Sequence, residues 1–235
     1  MSTRSTARMA APRVILFPGM GCDERLFGPQ REGGLEIETP PMPAAEAAEN
    51  LAAYAARIAR SLEIDQTCVV GGVSFGGMLA CQIGSLVHPR CVLLIASCRG
   101  NTAIPRAFWP LSWLSHLCPD WFIRRRGQAS CRLLARLESL TGYQSRLIRD
   151  MSLSVPVPHL RRIGRMILQW NGDPPPTCPV HHIHGARDRI IPLRKVKPDV
   201  VISDGGHMIN LTHADRVNEF IARHVADAGD ASRRR

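Results

Sequence analysis

Ser74 sits in the stretch VVGGVSFGGMLA (Val69 to Ala80), where a β-branched run meets an amphipathic one. A serine hydroxyl becomes a useful nucleophile only when the backbone presents it and a base takes its proton. The pentapeptide Gly72-Val73-Ser74-Phe75-Gly76 has the G-x-S-x-G form of a sharp strand-to-helix turn, which strains the serine backbone and lifts Oγ clear. Such an elbow needs glycine two residues before and two after, because side chains there would collide across the turn. Phe75 opens the following helix, so its N–H belongs to the helix end that stabilises anions. Gly71 and Gly77 suit close packing of strand and helix instead. The alternative, a serine in an ordinary Gly-rich bend, would need neither the strand before it nor the helix after it.

Acyl-transfer chemistry at a serine also needs a base and a group to orient that base. GARDRIIP places Asp188 four residues after a strand ending at His184, and ISDGGHMIN places His207 after a strand ending near Ser203. Asp188 could instead cap an Asx turn or pair with Arg187 or Arg189. Asp204 is a rival acid on the loop of the base. His181, His182 and His184 raise a metal reading, because His-x-His is a common ligand pair. A two-zinc pattern would want Asp two residues after the second His with another His beside it, and Arg187-Asp188-Arg189 supplies neither. No metal or other cofactor is therefore expected.

The elements that must carry these residues alternate along the chain. RVILF (13–17), TCVVGGV (67–73), CVLLIAS (91–97), PVHHIHG (179–185) and DVVIS (199–203) read as strands, the apolar ones as strands covered on both faces. GLEIET (34–39) alternates like a partly exposed strand. AAEAAENLAAYAARIARSL (44–62), FGGMLACQIGSLV (75–87) and ADRVNEFIARHVA (214–226) read as helices. From Pro105 to Trp170 the pattern is helical, aromatic and Arg-rich, divided by prolines. This order implies an α/β, doubly wound, mostly parallel sheet with a helical insertion. Ligands bind beyond the carboxyl ends of the strands in such sheets, where Ser74, Asp188 and His207 all fall.

Composition sets the remaining bounds. With 235 residues, 45% of them hydrophobic, the chain can bury a substantial core. MSTRSTARMAAP has charge but no apolar stretch, and no run of about 18 apolar residues occurs, so neither a signal peptide nor a spanning helix is expected and a cytoplasmic protein is. Eight cysteines without a CxxC pair fit reduced thiols rather than a disulfide framework. The net charge of +10 is concentrated between Arg99 and Trp170, where twelve arginines face three acids (Asp120, Glu138 and Asp150). Such density can steer phosphate-bearing or acidic ligands or an anionic surface; equally, it can be a solvated helical surface. Nucleic-acid binding has only the charge in its favour, with no recognisable motif.

GGVSFGG, HGARDRIIP and DGGHM before a helix, in the order Ser74, Asp188, His207, resemble the α/β-hydrolase family over nearly the whole chain. LFPGMGCDERLF resembles that family's loop after its first core strand, with Pro18 in place of the usual His. The resemblance implies a catalytic Ser74–Asp188–His207 triad and an oxyanion hole formed by the N–H groups of Met20 and Phe75. It further implies a sheet trimmed to about six strands, since the two leading strands have no room ahead of Arg13. The implied organisation is a disordered tail (1–12), a core (13–99 and 172–228), a basic helical lid (100–171) and a C-terminal tail (229–235). In such a lid Phe108, Trp109, Trp113, Trp121, Phe122, Arg124, Arg125 and Arg126 become candidate specificity residues. The expected activity is a serine hydrolase acting on a small-molecule carboxylic ester through an acyl-enzyme. Two alternatives stand beside it: a thioesterase on acyl-CoA or an acidic or phosphate-bearing acyl carrier, and a non-catalytic ligand-binding member of the fold. Haloalkane dehalogenases and epoxide hydrolases of this fold carry Asp at the elbow and are disfavoured by Ser74.

Overall fold

The computed structural model describes residues 11–105 and 117–231. Three apolar runs, each buried at every position, form adjacent strands of a sheet: β1 (Val14–Phe17), β2 (Val69–Val73) and β3 (Cys91–Ile95). β4 (Val180–Gly185) and β5 (Val200–Ile202) complete it, and all five pair in parallel in the order β1-β2-β3-β4-β5. The expected sixth strand, GLEIET, is reduced to one parallel bridge beside β1. There Leu16 N–H donates to Glu38 O at 2.9 Å and Glu38 N–H donates to Val14 O at 2.8 Å. Pro40, Pro41 and Pro43 follow at once, and proline has no N–H to continue a ladder.

That bridge fixes the winding. From β1 the chain steps outward to Glu38, through α1 (Gly28–Glu32), then returns through α2 (Leu51–Ser61) to β2. Thereafter α3 (Phe75–Val87) and later connections advance it in one direction. The reversal therefore lies between the carboxyl ends of β1 and β2, the place where open α/β sheets bind ligands.

Two cores lie on the two faces. Ile15, Phe17, Val70 and Leu94 pack with Tyr54 and Ile58 of α2 and Met78 and Leu79 of α3. Val14, Leu16, Val73 and Ile95 pack with Leu26, Phe27 and, from α8 (Ala214–Ala231), Val217, Phe220 and Ile221. Between β3 and β4 stand α4 (Asp120–Leu137), α5 (Gly142–Ser154) and α6 (Val157–Gln169). α5 gives Ile148 and Met151 to one core, and α6 gives Ile163 and Met166 to the other. α4 buries no residue. A short α7 (Ile209–Thr212) precedes α8. No helix among the described residues is long and apolar enough to cross a membrane. All eight cysteines are free thiols, four of them buried.

The helix expected from residue 44 begins only at Leu51, capped by Asn50, whose Oδ1 accepts from Ala53 N–H at 2.9 Å. Groups distant in sequence claim the preceding backbone. His159 Nδ1 accepts from Ala45 N–H at 3.1 Å, while Arg162 donates to Ala45 O and Arg165 to Ala47 O. Tertiary hydrogen bonds thus displace the alanine preference for helix. The expected tails fall mainly on residues 1–10 and 232–235, outside the described residues.

Trp170 ends α6 and pins it to the body: its indole Nε1–H donates to buried Gln82 Oε1 of α3 at 2.8 Å. Trp170→Phe should leave that carbonyl unpaired and lower stability by about 1–3 kcal/mol. Adding Gln82→Leu should recover much of the loss in denaturant unfolding.

Candidate active site

The elbow at Ser74 follows from two close approaches. A Cβ at Gly72 would lie 2.5 Å from Phe17 O and from the carbonyl carbon of Gly76, and one at Gly76 would overlap Phe17 O. Both places are backbone, which cannot swing aside. Ser74 itself has φ +53° and ψ −116°, a strained region for a non-glycine residue. β3 holds it there: Ser74 N–H donates to Ile95 O at 3.0 Å, and Ser97 Oγ–H donates to Ser74 O at 2.6 Å. Gly77 clears the space for Ser97, and Gly71 lies against Leu93 and Leu16.

The loop after β1 comes near the same place: a Cβ built on Gly19 would lie 3.5 Å from Ser74 Cβ. Phe75 is the first residue of α3, so its N–H has no partner within the helix. The N–H groups of Met20 and Phe75 are both unengaged among the described hydrogen bonds.

Asp188 and His207 meet at the ends of β4 and β5. Asp188 is 4% exposed and His207 6%. Asp188 Oδ1 accepts from the N–H groups of Ile190 and Ile191, both at 2.8 Å, while Oδ2 accepts from His207 Nδ1–H at 2.7 Å. The turn cap weighed from sequence and the pairing with histidine are therefore the two ends of one carboxylate. With Nδ1 protonated and engaged, Nε2 of neutral His207 is the basic nitrogen. Burial raises the Asp188 carboxyl, but the charge and hydrogen bond of His207, followed by the Ile191 N–H, outweigh it and leave Asp188 below its ordinary range. Burial also opposes charge on His207, yet Asp188 and then Glu138 overcome it, so the imidazole titrates above 6.5. No described hydrogen bond joins Ser74 Oγ to His207; such contacts in unliganded sites commonly close only with substrate. Asp204, the rival acid, is exposed and pairs with His213 at 3.3 Å.

The histidines of β4 are spoken for. His184 Nε2–H donates to Ile191 O at 2.8 Å and lies 3.3 Å from Asp188 Oδ2, while its Nδ1 accepts from His182 Nε2–H at 3.1 Å. His181 stacks on His224 with ring centroids 3.7 Å apart. No cluster of three or more metal-binding side chains occurs among the described residues.

A cleft of about 220 Å³ adjoins the elbow. Gly19, Phe75 and Met42 line it from the body; Val155, His159 and Ile163 line it from the helical segment. Its charged wall residues are Asp23 and Glu24, and no arginine or lysine among the described residues lines it. Arg124, Arg125 and Arg126 are exposed on α4 and do not line the cleft. Phe108, Trp109 and Trp113 lie outside the described residues, and Trp121 is exposed. Several arginines instead anchor helices through carbonyls: Arg162 and Arg165 as above, and Arg124 on Leu153 O at 3.0 Å.

Ser97, His159 and Glu138 escaped the sequence reading. Glu138, just past α4, accepts from His207 N–H at 2.5 Å and from Met208 N–H at 2.6 Å. Its only sequence signal is Gly206, whose missing side chain leaves room for that carboxylate.

Residues 6–220 match the alpha/beta hydrolase family. No curated protein matches the chain. Solved structures similar in fold include a thermophilic esterase from Thermogutta terrifontis, with TM-score 0.74 and 19% identity over 93% of this chain and 90% of that one. The enol-lactonase from Burkholderia xenovorans LB400 aligns with TM-score 0.73 and 14% identity over 92% of each chain. MenH from S. aureus aligns with TM-score 0.68 and 16% identity over 94% of this chain and 96% of that one.

The carboxylate that favours the imidazolium can be removed. NMR titration of wild type should show His207 protonating above 6.5. In Asp188→Asn the titration should move to lower pH, because a charge that stabilises the protonated ring has gone. An unmoved titration would mean that Asp188 does not govern this histidine.

Proposed function

The chain belongs to the alpha/beta hydrolase family, and from that premise we propose that it is a serine hydrolase cleaving a small-molecule carboxylic ester. The carrying observation is the 2.7 Å hydrogen bond from His207 Nδ1–H to Asp188, which frees Nε2 as a base. Ser74, lifted on its strained turn, supplies the attacking oxygen. As Oγ bonds to the acyl carbon, its proton passes to His207 Nε2, and Asp188 stabilises the imidazolium. The carbonyl oxygen becomes an oxyanion that the N–H groups of Phe75 and Met20 receive. Collapse breaks the bond to the alcohol, which leaves with the proton from His207. Water, deprotonated by His207, then attacks the acyl-enzyme and releases the acid and Ser74. No cofactor enters these steps.

The cleft beside Gly19 and Phe75 suits the acyl group, and the segment at 100–171 acts as a lid that supplies one of its walls. His159 adds a polar point. Its Nδ1 is taken by Ala45 N–H, so the neutral ring carries its proton on Nε2 and is a donor there. Burial, then Arg162, lowers the His159 pKa and keeps the ring neutral. Acyl-CoA or an acidic carrier would require cations at the cleft, and its described wall carries Asp23 and Glu24 instead. That favours an uncharged ester over a carrier-borne thioester. Acyl-CoA turnover that falls steeply with added salt would reverse the preference.

Ser74→Ala should lose labelling by a fluorophosphonate probe and cut turnover of short p-nitrophenyl esters by at least about 10³-fold. The unfolding midpoint should hardly change, because no described hydrogen bond of the fold uses Oγ. A wild-type protein that is neither labelled nor active on such esters would refute the reading.

A further inference from the structure

Glu138 is one of only three acids in a segment carrying twelve arginines, yet no described ion pair joins it to any of them. Its carboxylate spends both oxygens on backbone instead. One accepts from His207 N–H at 2.5 Å and the other from Met208 N–H at 2.6 Å. Charged acceptors make the stronger hydrogen bonds, and a pair of them on successive N–H groups fixes a loop in orientation as well as position. The loop is cut to receive it. A Cβ on Gly206 would lie 2.6 Å from Glu138 Cδ and 2.7 and 2.9 Å from its oxygens, so residue 206 must lack a side chain for the contact to exist. Next to it, Met208 is buried in the core under β5, so the clamp runs from the helical segment through the loop into the body. On the other side the chain turns sharply at Ser139, with φ +50°, before Thr141 caps α5.

We propose that Glu138 is a positioning residue for the base: its carboxylate holds the His207 loop by the backbone and ties the end of α4 to the reaction centre. This rests on His207 acting as the base of the hydrolysis proposed above. The carboxylate does not touch the reacting atoms. It acts through His207, by geometry and by charge. The ionisable groups around His207 are Asp188 from the loop after β4, with His184 of β4 behind it, and Glu138 from the turn after α4. Burial and the nearby charge of Asp188 raise the Glu138 carboxyl above its ordinary range, and the two N–H bonds and the charge of His207 offset this only in part. Since α4 buries no residue of its own, this turn gives α4 a direct hold on the reaction centre.

Four variants test the assignment on p-nitrophenyl ester hydrolysis. Glu138→Gln should lower kcat by about 10- to 100-fold, the scale expected when a catalytic group is misplaced by about an ångström, with KM within about twofold of wild type. Its acidic limb in kcat/KM should move to lower pH, because a negative charge that favours the imidazolium is gone. Gly206→Ala should bring a similar loss, since the new methyl group occupies the carboxylate's place. In Glu138→Ala, which vacates that place, adding Gly206→Ala should cost nothing further. Losses that add in the double variant, or an acidic limb that stays put while the unfolding midpoint falls, would make Glu138 a purely structural residue. A wild type without activity would sink the ester-hydrolase reading itself.

Discussion

The tightest constraint in this molecule is the contact of backbone with backbone where β1, β2 and the start of α3 converge. Phe17 O occupies the space that side chains at residues 72 and 76 would need, so the sequence has glycine at both. Three consequences follow from that contact. Ser74 is forced to positive φ, the N–H of Phe75 is left at an open helix end, and the loop after β1 comes within reach of the serine. Strain of this kind persists only where surrounding structure over-determines it. Here Ile95 O and Ser97 Oγ grip the serine backbone from β3.

Much of this was readable in advance because it is local. The elbow is a five-residue pattern; β1 to β3 are unbroken apolar runs; Asp188 and His207 each follow a strand end. The helix at 75–87 has the bounds that its pattern implies. What could not be read depends on partners distant in the chain. Glu138 binds a backbone 69 residues away, and His159 binds Ala45 across 114. No periodicity marks either. Residues 44–50 look helical by composition, but groups from α6 and Arg57 of α2 hold their backbone otherwise. The strand at 34–39 has the right alternation, but three prolines stop its ladder after one bridge.

The positive charge left two readings open in the composition: a surface for anionic ligands or a solvated helical surface. Individually, many of these guanidiniums cap carbonyl groups: Arg162 at Ala45, Arg165 at Ala47 and Arg124 at Leu153. Arg161 pairs with Asp120 at 2.7 Å and so joins α6 to the first turn of α4. A planar fork with five donors is well suited to satisfying exposed carbonyls, and a net charge can be the by-product of that task. The cleft remains uncharged or acidic along its described wall.

The histidines of β4 have a consequence of their own. His182 donates to His184, which donates onward to Ile191 O, so each ring in the row has only one assignment of its proton. Burial pushes His182 down to about 3 and lowers His184 as well, so both stay neutral across ordinary conditions. The negative charge of Asp188 therefore never gains a second cationic neighbour from beneath. In electrical terms the row is insulation: it fills the floor under the carboxylate with oriented dipoles and no mobile charge. Near neutrality, His207 is left as the sole titrating ring against Asp188, and one proton at a time can cross the site.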